Sequence, residues 1–190
     1  MDHLALAALV RIVRFYKWAF GDLTDTDSDI GVIGEFLVGD TLGCLSEGRK
    51  AQDVFDLRTA DDVSIEVKST TTTKARATGD PIRSWMVSDQ RTALEGKRPL
   101  ADVWVFLAAK FPKPSKRCPA VFTQLSVFDA AYWTCWVVPG EAVRASGCRT
   151  RISEATLTRL GVRSIPFADF KSTFRKLVKE RKLRNGSEDK

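Results

Sequence analysis

Apolar positions along the chain recur with two periods, and the switches between them mark out the elements. From Leu4 to Phe20 the run is apolar but carries Arg11, Arg14 and Lys17 at every third residue, which predicts an amphipathic helix with a basic stripe, packed on the domain. Asp22 to Asp29 is acidic and turn-rich, a loop that ends in a helix cap at Ser28 or Asp29. A second helix follows, burying Ile30, Ile33, Leu37 and Leu42, with Glu35 in its middle; Gly31, Gly34 and Gly39 lower its propensity and imply close packing or close approach to a ligand.

The period then falls to two. Ala51–Thr59 and Val63–Lys68 predict antiparallel strands joined by a turn at Ala60-Asp61-Asp62, and the polar, threonine-rich stretch Ser69–Pro81 predicts a mobile loop. Arg83–Val87 reads as a further strand and Ser88–Arg91 as a helix start. Ala101–Phe111 (ADVWVFLAAKF) is nearly continuous in hydrophobicity, as a strand covered on both faces must be. Tyr132–Val138 (YWTCWVV) is the next strong strand, stopped by Pro139-Gly140, and helices near Glu154–Leu160 and Phe167–Leu183 close the chain. The tryptophans Trp85, Trp104, Trp133 and Trp136 fall on these strands and are expected in the core.

A chain of 190 residues with 44% hydrophobic and 28% charged residues can bury a full core, which excludes a disordered or fibrous class and predicts one α/β domain over 1–170 with a basic helix and tail over 171–190. The net charge of +6 is uneven: residues 171–190 hold eight Lys or Arg against three Asp or Glu, leaving the rest of the chain near neutral. Cys44, Cys118, Cys135 and Cys148 lack the spacing of a zinc site, and the only histidine is His3, so zinc is not expected. The charges inside the first apolar run argue against a signal peptide or a spanning helix, and the expected setting is the reducing cytoplasm of a bacterium or archaeon, with no membrane partner.

Against this background one triplet stands out. Glu66 and Lys68 project from one face of a strand while Val67 points to the other, and placing a carboxylate and an amine at the end of a sheet costs several kcal/mol unless something compensates. A divalent cation beside a carboxylate pair is one compensator. With a three-residue turn centred on Asp61, Asp56 stands opposite Glu66; with a two-residue turn the parity flips and Asp53 faces Lys68 instead. Two carboxylates, a backbone carbonyl and waters suit Mg²⁺, with Mn²⁺ as a possible substitute. The chemistry that follows is phosphodiester hydrolysis, with Asp56 and Glu66 as metal ligands, Lys68 positioning water or stabilising charge on the phosphate, and Glu35 as a further ligand.

In this order, Glu35 on a helix, Asp56 on a strand, then Glu66 and Lys68 on the next, the residues resemble the PD-(D/E)XK nuclease superfamily, and ADVWVFLAAK followed by YWTCWVV is similar to the body of restriction-endonuclease-like bacterial proteins. The resemblance spans roughly residues 28–140, with Phe55 where the proline of the family name would stand. It implies an αβββαβ core with a mixed central sheet flanked by helices, a catalytic set of Asp56, Glu66, Lys68 and Glu35, and an auxiliary role for Gln90. The implied activity is that of a metal-dependent DNA endonuclease acting on double-stranded DNA as a homodimer. The alternatives are a structure- or damage-directed repair or recombination nuclease and a non-cleaving DNA-binding module. Lys74 and Arg76 in the loop after the strand, and Lys171, Arg175, Lys179 and Lys182 along the last helix, are the expected phosphate contacts.

Overall fold

The structure is a computed structural model that describes residues 29–45, 55–71, 73–74, 81–109 and 128–188; the expected first helix, Asp53 and Arg76 lie outside them. The described chain opens with helix α1 (Asp29–Leu42), then strands β1 (Leu57–Arg58), β2 (Ser64–Thr71), β3 (Thr73–Lys74), β4 (Pro81–Ile82) and β5 (Ser84–Met86). A 3₁₀ turn (Ser88–Gln90) leads into the single-turn helix α2 (Arg91–Leu94) and strand β6 (Val103–Ala109). After a second 3₁₀ turn (Ala130–Tyr132) come β7 (Trp133–Pro139), α3 (Gly140–Ala145), β8 (Arg151–Ser153), α4 (Glu154–Arg159), β9 (Ile165–Pro166), a third 3₁₀ turn (Phe167–Asp169) and the long helix α5 (Phe170–Glu188).

The central sheet is mixed, in the order β1-β2-β6-β7-β9. β2 and β6 run parallel, Ile65 beside Val103 through Thr71 beside Ala109, while the other pairs are antiparallel. All seven residues of β6 are buried, which is why its sequence is apolar at every position and not at alternate ones. The strand expected at Arg83–Val87 forms as β5 but does not join this sheet. It pairs instead with β8, Trp85 opposite Ile152, in a separate two-stranded ribbon, so the expected αβββαβ succession does not run through the central sheet. The reason is the packing of Trp85: the indole is 1% exposed against Phe106 and Trp136, and its Nε1 donates to the Leu107 carbonyl at 2.7 Å, which lays the strand across the sheet face.

Alternation along β2, β6 and β7 divides the core in two. Ile65, Val67, Val105, Leu107 and Val137 meet Phe36 and Leu37 of α1 and Phe170 and Phe174 of α5. Trp104, Phe106, Trp136 and Val138 meet Trp85, Val87, Leu94, Val143, Ile152 and Leu157 on the other face. All four strand tryptophans are buried. The first turns of α5 therefore belong to the core, although Lys179, Arg181 and Lys182 further along are exposed. None of the described helices is long and apolar enough to cross a membrane.

Two contacts fix this arrangement. At the start of the parallel pair, Asp102 Oδ2 accepts from both the backbone amide and the hydroxyl of Ser64 at 2.9 Å, the Ser64 hydroxyl accepts from the Asp102 amide at 3.0 Å, and Arg181 of α5 pairs with the other carboxylate oxygen. At the start of α3, a Cβ on Gly140 would stand 2.0 Å from the Ala101 carbonyl oxygen, so only glycine lets β7 turn into the helix there.

Candidate active site

The hairpin supplies the first side chain. Leu57 pairs with Ile65 and Arg58 with Ser64, a register centred on Asp61. Ala60, Asp61 and Asp62 form the loop, closed by Asp62 N–H to Thr59 O and Thr59 N–H to Val63 O, both at 3.0 Å. Asp62 takes a left-handed φ of 61°, which a short polar side chain tolerates, as three-residue hairpins require at their last loop position. Continued by one residue, this register sets Asp56 against Glu66. Asp56 has left the strand, and its Oδ2 accepts from the Val67 amide at 2.7 Å, so its carboxylate takes the place that a continuing β1 backbone would fill.

β2 supplies the pair. Glu66 is 1% exposed, and its Oε1 lies 2.7 Å from Lys68 Nζ. That contact is an ion pair without good hydrogen-bond alignment, and Oε1 has no hydrogen-bond donor among the described residues. On its other side Lys68 Nζ meets Asp89 Oδ2 at 2.5 Å. Asp89 sits in the 3₁₀ turn after β5; the sequence pointed to its neighbour Gln90, which is half-buried, closes the same turn and does not line the cleft. Glu35 reaches the group from α1 with 9% exposure. The approach of α1 to β2 depends on Gly34, where a Cβ would stand 1.8 Å from Ser69 Oγ and 3.1 Å from Leu107.

These charges are out of balance. Burial pushes the Glu66 carboxyl up to about 7, beyond what Lys68 can pull down, with Asp89 and Glu35 adding to the rise. Asp56 is pushed well above its ordinary range by burial of its carboxyl and then by the charges of Glu66 and Glu35, against Lys68 and the Val67 amide. Because Asp56 as a residue keeps substantial exposure, the crowding by like charges is the firmer of these causes. Lys68 moves the opposite way to what its own burial would dictate: Glu66, Asp56 and Asp89 together hold its proton above the usual lysine range. The directions agree once the group is taken as one ammonium shared among several carboxylates.

Glu35, Lys68 and Asp89 line an open cleft of about 570 Å³, whose further walls include Thr70 of β2 and Met86 and Arg151 of the β5–β8 ribbon. Arg151 and Asp89 were not singled out by the sequence. Asp89 could have been found from its place beside Gln90, whereas Arg151 reaches the cleft only through its pairing opposite Met86, which no local pattern announces. Of the expected phosphate contacts, Lys74 lies on β3 opposite Pro81. Lys171, Arg175, Lys179 and Lys182 line a separate groove of about 570 Å³ floored by Leu42, Val63, Phe174 and Val178.

Among the described residues no three acidic, cysteine or histidine side chains converge closely enough to enclose a metal ion. The fit to a hydrated cation is better. Glu66 Oε1 is buried with only the poorly aligned Lys68 ammonium beside it, and the carboxyls of Asp56 and Glu66 are both destabilised as anions, which suits an ion such as Mg²⁺ that keeps most of its waters and takes one or two carboxylates. No protein-family model matches the chain, and no curated protein matches it significantly.

Proposed function

We propose that this protein is a metal-dependent nuclease that hydrolyses DNA phosphodiester bonds, on a restriction-endonuclease-like variant of the mixed α/β sheet. The observation that carries the reading is the convergence of Asp56 with Glu66 and Lys68 of β2 beside an open cleft, with more carboxylates than cations there among the described residues. The order Glu35, Asp56, Glu66, Lys68, shared with the PD-(D/E)XK nucleases, supports it.

A bound Mg²⁺, with Mn²⁺ as a substitute, supplies Lewis-acid polarisation of the scissile phosphate and a water of lowered pKa. Glu66 and the carboxylate oxygen of Asp56 not engaged by Val67 are the residues to hold it, with Glu35 joining directly or through water. The Asp56–Val67 hydrogen bond ties that ligand to the strand bearing Glu66, so the two carboxylates move as one unit. Lys68 presents its ammonium at the cleft wall, where it orients the attacking water or stabilises charge on the phosphate. The preferred substrate is duplex DNA, cut by a homodimer with one centre per strand, while Lys171, Arg175, Lys179 and Lys182 hold the backbone without reading bases.

The test is cleavage of plasmid, linear, single-stranded and branched DNA with Mg²⁺, by the parent and by Glu66→Ala and Lys68→Ala. Metal-dependent cutting by the parent and its loss in both variants is the expected result; retained cutting in both overturns the assignment. A second reading, a DNA-binding module that no longer cuts, is favoured by one observation: Lys68 is already engaged by both Glu66 and Asp89. DNA binding without cleavage in every condition would select it.

A further inference from the structure

We infer that Asp89 is a positioning residue for Lys68, holding the ammonium at the cleft wall where a substrate phosphate arrives. The inference deepens the nuclease reading and rests on it. Lysine is a point charge on a flexible four-carbon stem, so its partners decide where the charge sits. With Glu66 as sole partner, Nζ would be drawn onto a carboxylate that is 1% exposed, away from any ligand in the cleft. Asp89 lies on the solvent side with 56% side-chain exposure and engages the same nitrogen, leaving Lys68 16% exposed between a buried anion and an open one.

The geometry is not that of a casual surface contact. Asp89 is delivered by a turn whose Gln90 N–H bonds to the Val87 carbonyl at 3.1 Å, and Val87 N–H bonds to the Thr150 carbonyl at 2.9 Å. Trp85 and Val87, on either side of exposed Met86, are 1% and 0% exposed, so the turn stands on a part of the chain anchored in the core. Arg151, a cation across the same cleft, is held by the Ser84 hydroxyl at 2.8 Å and is not committed to Asp89. Outer groups that orient the ligands of a metal site typically cost about 10- to 100-fold in activity when removed, and a carboxylate that orients Lys68 beside such a site is expected to act on the same scale.

Asp89→Asn and Asp89→Glu decide this with two readouts. One is steady-state DNA cleavage with Mg²⁺, separated into kcat and KM. The other, which needs neither metal nor substrate, is heteronuclear NMR of lysine ammonium groups, in which a restrained NH₃⁺ gives a protected signal, assigned to Lys68 by its absence in Lys68→Arg. Asp89→Asn is expected to lower kcat about 10- to 100-fold with KM within about twofold, and to abolish the Lys68 signal; Asp89→Glu is expected to restore part of both. A lowered KM at unchanged kcat would overturn the inference, since Asp89 would then merely repel DNA, and so would a Lys68 signal that persists in Asp89→Asn. If the parent cuts no DNA, the nuclease reading falls, and the ammonium signal alone still decides whether Asp89 holds Lys68.

Discussion

Replacing Glu66 by glutamine keeps the shape of the side chain and removes its titration. In the folded protein burial lifts this carboxyl from 4.5 to about 7, so the folded state binds the proton more tightly than the unfolded chain does. The sign follows: the contribution of Glu66 to stability is fully present below about pH 4.5 and is lost as the pH rises through about 7. A shift of this size corresponds to a loss of about 3 kcal/mol over that window, and at 1% exposure solvent screening does little to reduce it. The assay is urea unfolding of the parent and Glu66→Gln in EDTA, from pH 4 to 8. Asp56 and other groups titrate in both proteins, so the quantity to read is the difference between the two unfolding free energies. It should move in favour of the variant by about 3 kcal/mol across the window. A difference that stays flat with pH would refute the picture of a carboxyl destabilised by burial and crowded charge, whatever the absolute stabilities are.

Adding Mg²⁺ should raise the Tm of the parent at pH 8 more than at pH 5, with the effect lost in Glu66→Gln; thermal scans against metal concentration check this. Asp102→Ala strands the buried Ser64 amide and should cost about 1–3 kcal/mol in urea unfolding near neutral pH. Partial burial would raise the Asp102 carboxyl, but the Ser64 hydrogen bonds and Arg181 hold it below its ordinary range, so the cost should shrink as the pH falls through the carboxylate range. Gly140→Ala drives a methyl into the Ala101 carbonyl, which cannot rotate away, and should lower the Tm by roughly 5–10 °C in calorimetry. Replacing Lys171, Arg175, Lys179 and Lys182 together by glutamine should reduce the salt dependence of DNA binding by roughly one unit of log–log slope per lost phosphate contact, read by fluorescence anisotropy; an unchanged slope would remove that groove from the DNA path.

The parts of the fold legible in sequence are those whose packing imposes a pattern. β6 is apolar at every position because both of its faces are covered, and the hairpin announces itself because Ala60-Asp61-Asp62 interrupts two runs of alternating residues. β5 was visible as a strand, but alternation reports only that one face is buried, and it was the Trp85 indole that decided which partner the strand took. β9 has only two residues, β8 offers the single apolar Ile152 between polar neighbours, and α3 begins at Gly140, where Pro139-Gly140 reads in sequence as a stop. At the site, Glu66 and Lys68 share a face by strand geometry alone, and Asp56 follows once the turn is centred on Asp61. The contact of Asp89 with Lys68 has no local pattern, because it depends on the direction a turn takes after β5, which is set by tertiary packing.

The hydrogen bond from the Val67 amide to Asp56 also bears on self-association. β1 begins only at Leu57, and among the described residues no strand pairs with β2 on that side beyond Ile65. A strand rim left with unpaired amides is a template for another chain, and a charged side chain laid on it is a common defence against such self-association. Asp56→Ala would thus remove a carboxylate and open an edge at the same time, so that under the proposed function a loss of cleavage in this variant would be hard to tell from aggregation. Asp56→Asn keeps an acceptor for the Val67 amide and is the substitution for separating solubility from chemistry.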